Sequence, residues 1–317
     1  MPLYLDERDV AGLLTMREAV DAVDAAFRAQ GKGDGATNQP RQRIFAERGV
    51  LHYMAAALPG AGVLGTKTYT SFASGARFYV QLFSAETGEL LAYIEADKLG
   101  QMRTGAATGV AARYMARSDA QTAALLGAGW QAESQAEGLA ATCDSLRTVR
   151  VFSRDRERRE GFCARMAERL GLAFKPVETV AEAVAGAEVV VCATGSPTPI
   201  LNGAMLGPGM FVAAVGANRL TAREIDEDVV GCAAITAVDD LAQARAEAAE
   251  LIFAYERRRW NWSRAVPLAD IVAGRSPGRT SPAEITLFKS LGIALEDIAV
   301  AAVVYRKAVA AGAGRAL

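Results

Sequence analysis

Three groups of cations in the first third of the chain stand in surroundings that do not suit surface charge. Arg41 and Arg43 open a short run of alternating residues, Lys67 interrupts Leu64-Gly65-Thr66-Lys67-Thr68-Tyr69, and Arg103 begins a stretch of small residues. A lysine inside an apolar strand loses hydration. It needs an anionic partner, or it gives up proton affinity until it becomes a usable acid or base. Taken singly, each cation suits a structural role; taken together, they suit a small carboxylate substrate. His52 is the only histidine and has an ordinary pKa near neutrality, so it is a further candidate acid or base, with a structural role as the alternative.

A second kind of chemistry is written in Leu125-Leu126-Gly127-Ala128-Gly129-Trp130-Gln131-Ala132. Here a GxG pair follows an apolar strand and opens a helix, with Ala132 replacing the third glycine of the dinucleotide fingerprint. Gly127 makes the tight turn, and Gly129 lets backbone approach a pyrophosphate. The amides from Ala128 through Trp130 and Gln131 then face the anion at the helix N-terminus. The next strand ends at Phe152, where an NAD-selective site places a carboxylate. This chain has Ser153 and Arg154 there. A guanidinium pairs with a 2′-phosphate that a carboxylate would repel, so NADP(H) is the expected cofactor, with NAD(H) the alternative. In that alternative Ser153 caps the following helix and Asp155 reaches the ribose. Thr194 and Ser196, in Cys192-Ala193-Thr194-Gly195-Ser196, and Val215 lie at later strand ends, where ligands bind in open α/β sheets.

These residues need two architectures to position them. Apolar spacing over 12–30 predicts a helix, with Thr15 and Glu18 as a capping box, as the first regular element. Alternating runs at Arg43–Phe45, Val50–Ala55, Gly62–Tyr69, Phe78–Phe83 and Leu90–Glu95 predict strands, the last two joined by a turn at Glu86-Thr87-Gly88-Glu89. A helix from Arg103 to Arg117 links this part to a second. There, strands at Thr122–Leu126, Thr148–Phe152, Phe174–Pro176, Val189–Ala193 and Phe211–Val215 alternate with helices at 130–143, 155–171 and 179–185. That order predicts an α/β fold with a doubly wound, Rossmann-type parallel sheet. A helical run at 294–301 lies near the end.

Composition narrows the partners. Lys and Arg number 35 against 36 Asp and Glu, a formal charge of −1, which leaves no surplus to hold nucleic acid. Arg154, Arg156, Arg158 and Arg159 alternate with acids and read as a solvated helix start. No apolar run is long enough to cross a bilayer and the first residues carry no leader pattern, so a cytoplasmic location is expected. Four scattered cysteines, Cys143, Cys163, Cys192 and Cys232, form no CxxC pair; they read as buried thiols, and no metal is expected.

The chain resembles the ornithine cyclodeaminase and mu-crystallin family over nearly its full length. The resemblance rests on Gly65-Thr66-Lys67, Gln101-Met102-Arg103-Thr104-Gly105-Ala106, the GxG segment, Ala193-Thr194-Gly195-Ser196, Val215-Gly216-Ala217-Asn218, Arg223-Glu224-Ile225-Asp226 and Gly292-Ile293-Ala294-Leu295-Glu296-Asp297. It implies an α+β substrate and dimerisation domain from residues 1–112 and 293–317, with the dinucleotide domain, 113–292, inserted between. It further implies that Arg41 and Arg103 hold a substrate carboxylate, that Lys67 works at the reacting centre, and that Arg103 and Thr104 approach the dinucleotide phosphates. Two positions depart from the cyclodeaminase pattern. Asn218 stands where that enzyme has an aspartate base, and an amide cannot accept a proton at neutral pH. His52 falls near the carboxylate that steers ornithine's distal amine. The expected activity is therefore hydride transfer between NADP(H) and a small amino or imino acid in a homodimeric enzyme. Ornithine cyclisation with a recycled NAD, and a non-catalytic ligand-binding role, are the alternatives.

Overall fold

The computed structural model describes residues 1–317, and the chain packs into two compact units, Met1–Ala106 with Gly292–Leu317, and Ala107–Leu291. The first regular element is a strand, β1 (Leu3–Leu5), followed by helices α1 (Glu7–Leu13) and α2 (Met16–Lys32). This corrects the expectation that a helix comes first. Three residues are too few to show alternation, and β1 exists through its pairing within a sheet. The capping box of α2 is formed as the sequence predicts, with Thr15 accepting from the Glu18 amide and Glu18 reaching back. Its buried stripe is Ala19, Val20, Val23, Ala26 and Phe27.

Five strands follow as an antiparallel meander: β2 (Thr37–Ala46), β3 (Gly49–Leu58), β4 (Val63–Phe72), β5 (Gly75–Ser84) and β6 (Leu90–Glu95). Alternation puts His52, Met54, Ala56 and Leu58 of β3 on the buried face with Val63, Gly65, Lys67 and Tyr69 of β4. Met54 stands opposite Lys67, and His52 opposite Tyr69. Arg41 lies in the middle of β2 and not at its start. The register slips between Gln39 and Gln42, and such a bulge re-aims side chains, so that Arg41 is buried between half-buried Pro40 and exposed Gln42. Helix α3 (Asp97–Met115) begins six residues before Arg103, within the first unit, and ends in the second.

The second unit winds β7 (Thr122–Leu126), α4 (Trp130–Thr142), β8 (Thr148–Phe152), α5 (Arg156–Leu170), β9 (Ala173–Pro176), α6 (Val180–Val184), β10 (Val189–Cys192) and β11 (Phe211–Ala214). It continues through α7 (Glu227–Cys232), β12 (Ile235–Val238), α8 (Leu241–Glu247), α9 (Ala249–Glu256), β13 (Ala265–Pro267), α10 (Leu268–Val272) and β14 (Thr286–Lys289). The last three strands are three or four residues long and were not predicted. All eight strands pair in parallel, in the order β13-β12-β14-β11-β10-β7-β8-β9. The chain runs outward from β7 to β9 and then returns to β10 on the other side. The strand order thus reverses between β7 and β10, the place where open α/β sheets bind ligands. Trp260 is buried and meets Trp262 edge-on at 5.1 Å, so this aromatic pair fills the core of its own unit.

The chain then returns to the first unit with α11 (Ala294–Ala311) and β15 (Arg315–Ala316), which completes the sheet β15-β1-β6-β5-β4-β3-β2. Helix α11 packs against β3, β4 and β5, with α2 beside it. Gly65 allows this approach, since a Cβ there would lie 2.5 Å from Ile298 Cδ1 and 2.4 Å from the Gln81 carbonyl oxygen. No helix is long and apolar enough to cross a membrane. Of the cysteines, Cys163 and Cys192 are buried, Cys143 is half-buried, and Cys232, at the surface end of α7, is exposed, contrary to the expectation for all four.

Candidate active site

Lys67 projects from the buried face of β4, and its Nζ donates to Asp297 Oδ1 at 2.7 Å. The same oxygen accepts from Arg103 Nε at 3.0 Å, while Arg103 Nη1 donates to Glu296 Oε2 at 2.8 Å. Both carboxylates sit in the first turn of α11, where the helix dipole favours negative charge. Sequence reasoning named the lysine and the arginine but missed these partners. The available signal was two adjacent acids in an otherwise apolar helical run, since buried acids require paired cations.

Gly292 brings the guanidinium groups close together. Its carbonyl accepts from Arg41 Nη2 at 2.9 Å, and a Cβ on it would fall 2.4 Å from Arg103 Nη1. Its φ of +74° also suits glycine. Helix α3 passes Lys67 at Gly100, where a Cβ would lie 3.2 Å from Nζ. Thr104 is buried, and its hydroxyl donates to the Gly100 carbonyl at 2.8 Å.

Burial pushes the Lys67 pKa down, Asp297 pulls it back up, and Arg103 and Arg41 lower it again, leaving it at about 8. This ammonium therefore exchanges its proton near neutrality. Burial works against charge on Arg103 as well, but Asp297 and Glu296 outweigh it and hold the guanidinium above its ordinary pKa. Asp297 Oδ2 is buried without a hydrogen-bond partner. Such an atom needs a water or a ligand N–H.

His52 behaves differently from Lys67. It stacks on Tyr69 at 4.1 Å, its Nε2 lies 3.2 Å from Ser71 Oγ, and its Nδ1 is buried without a partner. Burial, then Arg43 and Arg41, lower its pKa to about 4. The ring is neutral at physiological pH, so the near-neutral titration expected from its ordinary pKa is not what this environment allows.

In the second unit the glycine turn has a form that only glycine permits. Gly127 has a φ of +122°, a Cβ on it would lie 2.3 Å from the Ala193 carbonyl oxygen, and its amide donates to Phe152 O at 2.8 Å. Gly129 caps α4 without a side-chain hydrogen bond, leaving the first-turn amides without a capping side chain, and Ala132 is fully buried beneath. A cavity of about 290 Å³ opens over this turn. Its walls are Phe152, Ser153, Arg154 and Arg158 on one side and Ala193, Thr194, Gly195, Ser196 and Ile200 on the other, with no carboxylate among them. The cradle and the helix start without a side-chain cap fit a dinucleotide pyrophosphate.

The basic cluster after β8 is not simply solvated. Arg154 is exposed, but Arg159 is buried and donates to Ser153 O at 2.8 Å and Glu178 at 2.6 Å. Arg158 donates from Nε to Ala128 O at 3.1 Å, which anchors its guanidinium on the glycine turn; in sequence it stands in a charge-balanced helix start with nothing to single it out. Asp155, and not Ser153, caps α5 by accepting from the Arg158 amide at 2.9 Å. Thr194 donates its hydroxyl to Glu224, a group that sequence reasoning gave no role. Trp130 is exposed and Gln131 half-buried at the start of α4, and Val215 and Asn218 are half-buried at and beyond the end of β11. No group of three or more His, Cys, Asp or Glu side chains is placed to hold a metal ion.

The reversed strand order and the glycine turn define a doubly wound, Rossmann-type α/β protein with a second, mainly antiparallel unit. Residues 2–312 match the ornithine cyclodeaminase/mu-crystallin family, and the chain belongs to that family. It is 31% identical to an alanine dehydrogenase of Archaeoglobus fulgidus over 98% of this chain and 97% of that one. It is 33% identical to a delta(1)-pyrroline-2-carboxylate reductase of Bacillus cereus over 74% of this chain and 72% of the relative. The structure of the Thermococcus litoralis delta(1)-pyrroline-2-carboxylate reductase in complex with NADH and L-proline superposes with a TM-score of 0.93 at 31% identity, covering 99% of this chain and all of that one.

Proposed function

We propose that the chain transfers hydride between a nicotinamide dinucleotide and a small α-imino or α-amino acid, with Arg41, Lys67 and Arg103 as the substrate-handling residues. The observation that carries this reading is Lys67, buried among arginines and carboxylates and held at about 8. Arg41 and Arg103 bind the substrate carboxylate; Arg103 Nη2 is engaged by neither Glu296 nor Asp297. Lys67 gives its Nζ proton to the imine nitrogen in reduction and recovers it from the amine in oxidation. Asp297 orients Lys67 and keeps it protonated at neutral pH. When bound, the nicotinamide supplies the hydride for the imine carbon or takes it back.

The amides from Ala128 to Gln131 hold the pyrophosphate, and Ser153 with Arg154 meets the adenosine ribose. Preference for NADP(H) is supported by the absence of a carboxylate in the cavity wall and by Asp155 being spent on the helix cap. Relatives solved with NADH or NAD make NAD(H) the competing cofactor. Thr104 is a candidate phosphate contact by turning its hydroxyl proton from the Gly100 carbonyl, to which it donates at 2.8 Å, towards the anion.

Ornithine cyclisation is the second reading, and His52 weighs against it. A neutral ring beside Arg43 and Arg41 does not attract a distal ammonium, and Asn218 supplies no base. The two readings separate by stoichiometry. The purified protein with pyrroline-2-carboxylate should consume one NADPH or NADH for each amine formed. Ammonia released from ornithine without net change in cofactor absorbance would overturn hydride transfer as the net reaction. Nucleotide binding without turnover of any imino or amino acid would leave the ligand-binding reading.

We also read the first unit as a homodimerisation surface. Ile44, Phe45, Leu51, Tyr53, Leu64 and Phe72 are exposed along β2, β3 and β4, more apolar surface than scattered single residues explain.

A further inference from the structure

The buried charge that this mechanism leaves unused is Glu224. It lies between β11 and α7, is fully buried, and both carboxylate oxygens are occupied by groups from two different strand-end loops. Oε1 accepts from the Thr194 amide at 2.6 Å and from the Thr194 hydroxyl at 2.9 Å; Oε2 accepts from the Gly216 amide at 2.6 Å. The Thr194 hydroxyl oxygen in turn accepts from the Ser196 amide at 3.2 Å. One carboxylate therefore fixes the loop after β10 and the loop after β11. Those loops touch closely enough that a Cβ on Gly216 would lie 2.1 Å from Thr194 O and 2.6 Å from Glu224 Oε1.

The clamp is braced from behind. The Glu224 amide donates to Glu250 Oε1 at 3.2 Å, and Lys289 Nζ donates to the same oxygen at 3.3 Å and to Ala217 O at 2.6 Å. Lys289 thus ties the second loop and offsets part of the negative charge of Glu224 and Glu250, against the burial that pushes the Glu224 pKa up. Every group facing the Glu224 oxygens is a donor, which is the geometry of an ionised carboxylate. A protonated acid or an amide would set a donor against a donor.

Topology says which half of a dinucleotide these loops would meet. The glycine turn follows β7, the Arg154 wall follows β8, and the loops held by Glu224 follow β10 and β11, on the opposite side of the strand-order reversal. A dinucleotide lies across that point with one mononucleotide on each side. The loop after β10, Thr194–Ser196, faces the Arg154 wall across one cavity and so meets the adenosine half as well, while the nicotinamide half falls to the loop after β11, Val215–Asn218. We propose that Glu224 is a positioning residue that fixes these two loops as one preformed wall, whose second loop holds the nicotinamide half. This rests on the dinucleotide reading above.

The test is calorimetric titration of wild type and Glu224→Gln with NADPH and NADH and with their adenosine halves, 2′,5′-ADP and ADP. The variant should bind the tighter intact dinucleotide at least tenfold more weakly, while the matching adenosine half, which meets only the first of the two loops, should lose distinctly less. Equal loss for both, or a wild-type affinity for the dinucleotide, overturns the proposal. Should Glu224→Gln fail to fold, Thr194→Val removes only the hydroxyl donor and keeps the carboxylate. It should show the same split between whole and half ligand, and no split overturns the proposal equally. Wild-type protein that binds none of the four nucleotides overturns the dinucleotide reading itself, a result distinct from either variant outcome.

Discussion

Replacing Asp297 by asparagine tests whether one carboxylate sets the proton affinity of the proposed acid. The Asp297→Asn side chain keeps the shape and one acceptor oxygen but takes the negative charge from between Lys67 Nζ and Arg103 Nε. Removing one partner of a buried ion pair costs about 3–5 kcal/mol. Arg103 cannot shed its proton and retains Glu296, whereas Lys67 can, so most of the cost is relieved by deprotonating Lys67. A cost of about 3 kcal/mol corresponds to about two pKa units, which takes Lys67 from about 8 to roughly 6. The sign follows from the role. An acid works below its pKa, so imine reduction falls as pH rises through it. At pH 7 the protonated fraction drops from roughly nine-tenths to roughly one-tenth, and turnover should slow about tenfold. The basic limb of kcat/KM against pH should move about two units towards acid, with activity recovering at pH 5. Pyrroline-2-carboxylate reduction followed by NADPH absorbance across pH 5–10 reads this directly, with circular dichroism to verify folding. A folded variant whose basic limb stays near pH 8 refutes the assignment of that limb to Lys67 under the control of Asp297.

Arg154→Asp should weaken NADPH by about ten- to a hundredfold, the scale of a lost charge-assisted hydrogen bond, and NADH far less; equal losses in paired titrations would refute selectivity at this position. Gly127→Ala should destabilise the second unit by about 1–3 kcal/mol and abolish nucleotide protection in thermal melts, because a Cβ meets the Ala193 carbonyl at 2.3 Å and the residue has a φ of +122°; a wild-type Kd would refute the account of the turn. Ile44→Asp with Leu51→Asp, which stand opposite each other on the outer face of β2 and β3, should convert the protein to a monomer by light scattering if that face is the dimer surface, and an unchanged mass would remove that reading.

Much of the second unit was legible because its signals are local. Thr122–Leu126 and Val189–Cys192 are apolar runs bounded by glycine or small residues, and Gly127 and Gly129 sit where a strand must turn into a helix. The strands Ile235–Val238, Ala265–Pro267 and Thr286–Lys289 were not legible. Each has at most four residues, too few for a period, and each is a strand through pairing with neighbours distant in sequence. The same distinction divides the site. Lys67 was legible as a cation in an apolar strand. Its partner Asp297 lies 230 positions away, and in sequence it reads only as an acid in a helix's first turn. Arg41 was placed at a strand start because a bulge leaves no compositional mark. Arg158 and Glu224 were given no role for a related reason: the alternating acids hide the one, and only the close approach of two loops reveals the other.

The two carboxylates missed in the sequence change what the cations can do. Three isolated buried cations would be prohibitively costly, and each would be driven towards neutrality or solvent. Glu296 and Asp297 remove most of that cost but not all of the charge. Arg41, Lys67 and Arg103 face two acids, which leaves a surplus of one positive charge when all five are ionised. A site so balanced is completed by a single carboxylate, and binding that anion raises the pKa of Lys67 further by adding a negative neighbour. On the proposed reading, a bound substrate carboxylate would therefore increase the protonation of Lys67. His52, neutral in this setting, contributes no charge to that balance. Stacked on Tyr69 at 4.1 Å, it is a packing element on the buried face of β3, and the proposed proton transfer rests on the lysine.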